Sequence, residues 1–273
     1  VYTAHDLKMI CLNYKMMNHG KVCEACKNGN LYYCALNKCV KNSFFKSCIN
    51  VAEGYIHKWR KSYDAIDCII TPSEFYRKKF VEFGVSEQRV IHISNFLDRE
   101  EPVVNKRDDI ESYFLYFGRL SEEKGIGTLI KAMIDTEFNL YIVGTGPLKD
   151  EIAEFVEKNR LRNIHLLGFK SGQELIDIVG NAKAVILPSE WYENGPYSAI
   201  EALQLGIPII GANIGGIPEL VHENGYLFES GNVTDLCNCL NLLLNCTEKT
   251  YKKMQRASKE LFEEQYSSDE HYE

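Results

Sequence analysis

From residue 111 onward, short apolar runs alternate with longer stretches of mixed polarity. The runs Tyr113–Phe117, Asn139–Val143, Ile164–Leu167, Ala184–Leu187 and Pro208–Gly211 have the length and near-continuous hydrophobicity of strands buried on both faces. The stretches between and after them, near 126–134, 147–159, 172–180, 196–205 and 217–221, read as helices. Strand and helix in alternation predict a parallel sheet with helices on both faces. The earlier part is less regular. Residues 1–60 read as irregular and rich in Cys, Asn and Lys. A strand over Ala65–Ile70 then ends at Thr71-Pro72-Ser73, and Ser73 is placed to cap a helix running from Glu74 to about Phe83, stopped by Gly84. A further short strand is expected over Val90–Ile93. The charged, Pro-containing stretch 99–110 separates the two regimes and is the expected linker. This gives a first domain over 1–98 with a Cys-rich insert at about 20–48, and a second over 111–273.

Composition narrows the classes. The 273 residues are 45% hydrophobic and 25% charged, an ordinary globular balance. The net charge of −7 gives no global signal for nucleic acid. No apolar run approaches the roughly 18 residues of a membrane span. The opening Val1-Tyr2-Thr3-Ala4 reads as the end of a strand, and the closing Gln265–Glu270 as a helix in mid-course. The expectation is a piece of a longer chain whose first domain is incomplete.

In doubly wound sheets ligands bind outside the carboxyl ends of the strands, so the loops there carry the candidate chemistry. Gly118-Arg119-Leu120-Ser121-Glu122-Glu123-Lys124-Gly125 follows the first of these strands. Its glycine permits a sharp turn, and Arg119 and Lys124 suit phosphate oxygens. Taken alone, they are as readily two solvated surface cations. The loop after Leu187 holds Glu193, Asn194, Gly195 and Pro196, then a helix with Tyr197, Ser198 and Glu201. Pro196 is expected at the first helical position, where free N–H groups and the helix dipole favour an anion. Glu201 lies among Ala199, Ile200, Ala202 and Leu203. A carboxylate there needs ligand hydroxyls or a structural cation. Glu193, on the same loop, can face the same cleft. Gly215-Gly216-Ile217-Pro218-Glu219 begins another helix, where Glu219 serves equally as a cap or a ligand contact. Val143-Gly144-Thr145-Gly146-Pro147 lacks the third glycine of a dinucleotide fingerprint. It reads as a tight turn lining a base pocket, with Pro147 starting a helix.

These segments resemble glycosyltransferase family 4, of the GT-B class with two Rossmann-like domains. The stretch Gly118-Arg119-Leu120 to Lys124-Gly125 matches the family's diphosphate loop. Glu193 and Glu201 match its paired glutamates, and Gly215-Gly216 to Glu219 its Gly-Gly-x-x-Glu segment. The resemblance implies a retaining, nucleotide-sugar-dependent transfer to an acceptor hydroxyl. Arg119 and Lys124 would hold the donor diphosphate. Glu193 would bond hydroxyls of the transferred sugar, and Glu201 the ribose hydroxyls. Backbone amides around Gly195 to Tyr197 would meet oxygens of the donor. Gly168, Phe169 and Lys170 would line the base. Thr3-Ala4-His5-Asp6 resembles the His-Asp turn of the acceptor-side domain, which makes His5 a sugar-facing residue. A lone histidine after a strand is otherwise more often structural.

The same resemblance implies surface-polysaccharide or glycolipid assembly, with a sugar, lipid-linked or glycan acceptor. It places the protein in the cytoplasm, or peripherally at the inner membrane face, and no nucleic-acid partner is expected. No Asp-x-Asp motif occurs, so no essential divalent metal or other cofactor is expected. Cys23, Cys26, Cys34 and Cys39 are the one zinc candidate, set against free or paired thiols, the reading the spacing favours. Alternative readings are a non-catalytic nucleotide-sugar-binding scaffold, or an epimerase or phosphorylase on the same architecture.

Overall fold

The computed structural model describes residues 1–100, 102–107, 111–134 and 136–269. Its contacts divide into two compact units, one of Val1–Ser94 with Trp191–Asn194, the other of Asn95–Glu190 with Gly195–Glu273.

The first unit contains β1 (Tyr2–Thr3), the hairpin strands β2 (Met17–Asn18) and β3 (Lys21–Val22), α1 (Tyr33–Leu36), α2 (Phe44–Trp59), β4 (Ile69–Thr71), α3 (Glu74–Glu82) and β5 (Val90–His92). Strands β1, β4 and β5 form a parallel sheet in the order β1-β4-β5, with Tyr2 opposite Ile69 and Ile69 opposite Val90. Ala4, Leu7, Met16, Ile69, Tyr76 and Phe80 form its core. Burying each large apolar side chain contributes about 1.5–3 kcal/mol.

Two expectations need correcting here. Residues 62–65 form a 3-10 turn, so the strand begins at Ile69 rather than Ala65. The stretch read as irregular contains the 16-residue α2, whose Ser43 side chain accepts a hydrogen bond from Lys46 N. Much of its apolar surface faces outward: Phe45 is 74% and Trp59 84% exposed. A helix that buries so little of its apolar surface in its own unit is hard to read as a core element.

The second unit contains β6 (Tyr113–Phe117), α4 (Ile126–Met133), β7 (Asn139–Val143), α5 (Lys149–Lys158), β8 (Ile164–Gly168), α6 (Gly172–Gly180), β9 (Ala184–Leu187), α7 (Tyr197–Gln204), β10 (Ile209–Ala212), β11 (Gly225–Phe228), α8 (Val233–Leu244) and α9 (Glu248–Gln265). Its six strands are parallel, in the order β11-β10-β9-β6-β7-β8. Every residue of β6, β9 and β10 is buried. That is why these strands read as continuous apolar runs. Helix α4 packs on α8, and α7 on α9.

Helix α5 starts at Lys149, two residues after Pro147, which lies in the preceding turn. The closing segment is interrupted rather than continuous: α9 ends at Gln265, Leu97 N then donates to Tyr266 O and Ser268 N to Leu97 O, and Ser268 and Asp269 are helical again. Residue 270 of that segment lies outside the described residues, as do 101 and 108–110 of the expected linker. The described stretch 102–107 has no helix or strand. It lies along α6, where Asn105 N donates to Asp177 Oδ1 (3.0 Å) and Lys106 Nζ to Gly180 O (2.6 Å).

Candidate functional site

The strand order of the second unit runs outward in opposite directions from the β6–β9 pair. Such a reversal leaves a crevice at the carboxyl ends of the two strands. The loops leaving them lie side by side. Glu190 N donates to Glu123 O (2.9 Å), and Thr128 Oγ1 to Glu190 Oε1 (2.6 Å). Gly125 has φ +66°, and a Cβ there would fall 1.8 Å from Pro188 O, so only glycine lets the loops meet. On the other side, Gly118 N donates to Val143 O and Leu120 N to Thr145 O. A Cβ on Gly144 would lie 1.9 Å from Gly118 O. The Gly-x-Gly turn thus brings two loops together.

A cleft of about 320 Å³ opens at this end of β6, β7 and β8, lined by Gly118, Arg119, Gly144, Thr145, Phe169 and Lys170, among others. Phe169 is 72% exposed, an aromatic face that the core does not use. Lys170 Nζ pairs with Glu174 Oε1 at 2.5 Å. Gly168 O accepts from Gly144 N (2.8 Å), which fixes the turn that presents Phe169. Arg119 is exposed on its loop, and Lys124 ends the one-turn 3-10 helix Glu122–Lys124, half-buried. Between them Ser121 Oγ is buried without a hydrogen-bond partner. A buried orphan hydroxyl is costly unless a ligand or water completes it.

Pro196 proves to be the N-cap of α7 rather than its first helical residue, because its ψ of 130° is extended. Asn95 Nδ2 donates to Gly195 O (2.9 Å) and fixes the approach to the helix. The amides of Tyr197 and Ser198 occupy the first turn, where helical N–H groups lack intrahelical partners. One turn further on, Glu201 is half-buried, and burial raises its carboxyl above the usual range. Glu219 lies in the 3-10 turn Ile217–Leu220, where an α-helix over 217–221 was expected; its carbonyl accepts from Tyr266 OH (3.4 Å).

A second group of predicted residues gathers in the first unit. Asn194 Nδ2 donates to Ala4 O (2.9 Å), next to His5, and Ser73 Oγ donates to Asn194 Oδ1 (2.9 Å). Glu193 is buried at 5% exposure. The Tyr76 phenol is pushed up by burial first, then by the negative charges of Glu193 and Asp6. His5 itself is exposed. The loop expected to act as one piece is therefore divided: Trp191–Asn194 belongs to the first unit, and Gly195 onward to the second. Glu193 and Glu201 are held by different units.

Cys23, Cys26, Cys34 and Cys39 all lie in the first unit, and all ten cysteines are free thiols. Among the described residues, no helix is long and apolar enough to cross a membrane.

The sequence reading missed Glu190, Ser121 and Tyr192. Glu190 bonds to the first turn of α4, and Tyr192 OH donates to Glu24 Oε1 (2.7 Å). Glu190 had one legible signal, its place in the same strand-end loop as Glu193. The partner of Tyr192 is 168 residues away, and nothing local announces it.

Residues 98–261 match the family model described as "Glycosyl transferases group 1". An uncharacterized glycosyltransferase of Methanocaldococcus jannaschii is 32% identical over 184 residues, which are 67% of this chain and 51% of that protein. The amylovoran biosynthesis glycosyltransferase AmsK of Erwinia amylovora is 25% identical over 189 residues, 64% of this chain and 46% of its own. The chain thus spans about half the length of these relatives. Among solved structures, a mutant of S. aureus TarM in complex with fondaparinux, alpha-GlcNAc-glycerol and UDP superposes with a TM-score of 0.67 at 25% identity, covering 77% of this chain and 43% of TarM. The fold is that of the GT-B glycosyltransferases, and the chain belongs to the group 1 glycosyl transferases.

Proposed function

We propose that this chain carries the donor-binding part of a retaining, family 4 glycosyltransferase, a hexosyltransferase that moves a sugar from a nucleoside-diphosphate sugar to an acceptor hydroxyl. The observation that carries this reading is the crevice at the β6–β9 reversal. There the Arg119/Lys124 loop, an exposed aromatic and the start of α7 all belong to one unit. The UDP held by TarM supports a nucleotide donor for a protein of similar fold.

Arg119 and Lys124 hold the diphosphate, with the Tyr197 and Ser198 amides supplying further donors. As the anomeric C–O bond breaks, charge builds on the leaving diphosphate. Fixed cations and N–H dipoles aimed there lower the barrier. Phe169, between Gly168 and Lys170, gives the base a stacking face, and Glu201 accepts from ribose hydroxyls. Glu219 is assigned to the donor as a further polar contact. In the first unit, Glu193 is assigned to hydroxyls of the transferred sugar, His5 faces that sugar, and Asn194 belongs to the donor-binding loop. With retention, the leaving phosphate itself takes the acceptor's proton, and no divalent metal is required. The product enters surface polysaccharide or glycolipid, made on the cytoplasmic side of the membrane. AmsK's name supports a polysaccharide route.

A thermal-shift panel of UDP, GDP and ADP, with their common sugar conjugates, tests the donor site against Arg119→Ala and Glu201→Ala. One nucleotide stabilises the wild-type chain, by about 2.7 kcal/mol at one hundred times its Kd, and both variants lose the effect. A folded wild-type chain that none of the nucleotides stabilises would overturn the reading and leave a scaffold role in its place.

A further inference from the structure

Residues 11–43 of the first unit fold with almost no regular structure. The elements in this stretch are a hairpin of two-residue strands, a one-turn 3-10 helix and the four-residue α1. Seven non-glycine residues take left-handed backbone here: Tyr14, Met16, His19, Asn28, Lys38, Lys41 and Asn42. Asn visits this region readily, but the other five are disfavoured there. Such a segment needs a staple other than its own core.

Cys11, Cys23, Cys26, Cys34 and Cys39, from five points of this irregular chain, line one small cavity of about 20 Å³. The hairpin delivers Cys23, whose N–H donates to Met16 O (2.8 Å); the following turn delivers Cys26. Helix α1 carries Cys34, and the chain then folds back so that Cys39 N donates to Cys34 O (3.0 Å). Cys11 is engaged otherwise, its thiol donating to Asn13 Oδ1 at 2.9 Å.

We propose that Cys23, Cys26, Cys34 and Cys39 close on one zinc ion that clasps this segment. Four sulfur donors select Zn²⁺ or an iron–sulfur cluster. The cavity has room for one water-sized sphere, which suits a single ion and not a cluster. As they stand, no three His, Cys, Asp or Glu side chains among the described residues are set to hold a metal ion. Binding therefore requires the thiols to rotate inward. Each of the four gives its proton to solvent, and four thiolates replace the water around Zn²⁺ in a closed tetrahedral site. The ion is structural, and the inference is independent of the donor site in the second unit.

The test is metal analysis of the full chain, purified without chelator. The expected result is about one zinc per chain, released as the thiols are titrated with a mercurial, four thiols per ion. Cobalt substitution then shows sulfur-to-metal charge transfer and the visible bands of a tetrahedral site. Cys26→Ser and Cys39→Ser lose the metal, while Cys11→Ser, Cys68→Ser and Cys246→Ser keep it. Should the ligand variants fail to fold, the cobalt spectrum and the thiol count on the wild-type chain decide alone. A folded, metal-free chain overturns the proposal. So does iron in place of zinc, a Cys34–Cys39 disulfide in freshly isolated protein, or loss of metal in Cys11→Ser.

Discussion

Glu201 shows how one side chain couples stability to pH. Burial raises its carboxyl, so the folded chain keeps that proton at a pH where the unfolded chain has released it. The resulting stability is complete below the unfolded carboxyl's range and is lost as pH rises through the folded value. Glu201→Gln removes this loss. The variant therefore gains on the wild type in denaturation midpoint as pH rises from about 4, while losing nucleotide binding. A midpoint difference that is flat with pH would contradict the burial argument. Gly125 works through shape instead. Any side chain there meets Pro188 O and sits at a positive φ. Gly125→Ala should cost roughly 2–4 kcal/mol in urea titration, and a loss near zero would mean that the two loops do not meet.

At the scale of elements, the cap of α3 carries two roles. Ser73 Oγ accepts from Tyr76 N (3.2 Å) and donates to Asn194 Oδ1. Ser73→Ala should cost about 1–2 kcal/mol, whereas the exposed cap of α2, with its 3.4 Å bond, should cost less when Ser43 is replaced. Equal losses would show that the Asn194 bond contributes nothing. The elements also show what can be read from a chain alone. Strands β6 and β9 were legible to the residue because strands buried on both faces are unbroken apolar runs, and β7 because four apolar residues follow Asn139. The Ser73 cap was legible because a cap is local chemistry. Strand β11 was missed: it is four residues long, begins at Gly225 and pairs on one side only. Helix α8 was passed over and α9 was read only from its last residue, Gln265, although Asn232 and Thr247 cap them with side-chain bonds. Helix α2 stayed hidden because its apolar residues do not mark a buried face: Ser47 is the one buried residue along it.

At the scale of the whole molecule, the motifs of the site were legible but their attachment was not. Arg119, Phe169 and Lys170 come from two strand-end loops and do line one cleft, as the parallel sheet requires. The division of residues 191–198 between two units depends on hydrogen bonds to Ala4, Ser73 and Tyr76, which lie more than a hundred positions away. Each unit has its own hydrophobic core. Calorimetry should accordingly resolve two transitions, and on the proposed reading the nucleotide that stabilises the chain raises only the one that carries the second unit. Equal movement of both would show that the two cores melt together.

The tetrapeptide Trp191–Asn194 has a practical consequence for recombination. It belongs to the first unit, although both neighbouring residues belong to the second. The backbone therefore passes from one unit to the other at residues 94–95, 190–191 and 194–195. A hybrid built by a single crossover near residue 95 would transplant Glu193 and Asn194 away from Ala4, Ser73 and Tyr76. A hybrid meant to exchange the first unit intact must carry these four residues with the first ninety-four, as a second, separate graft.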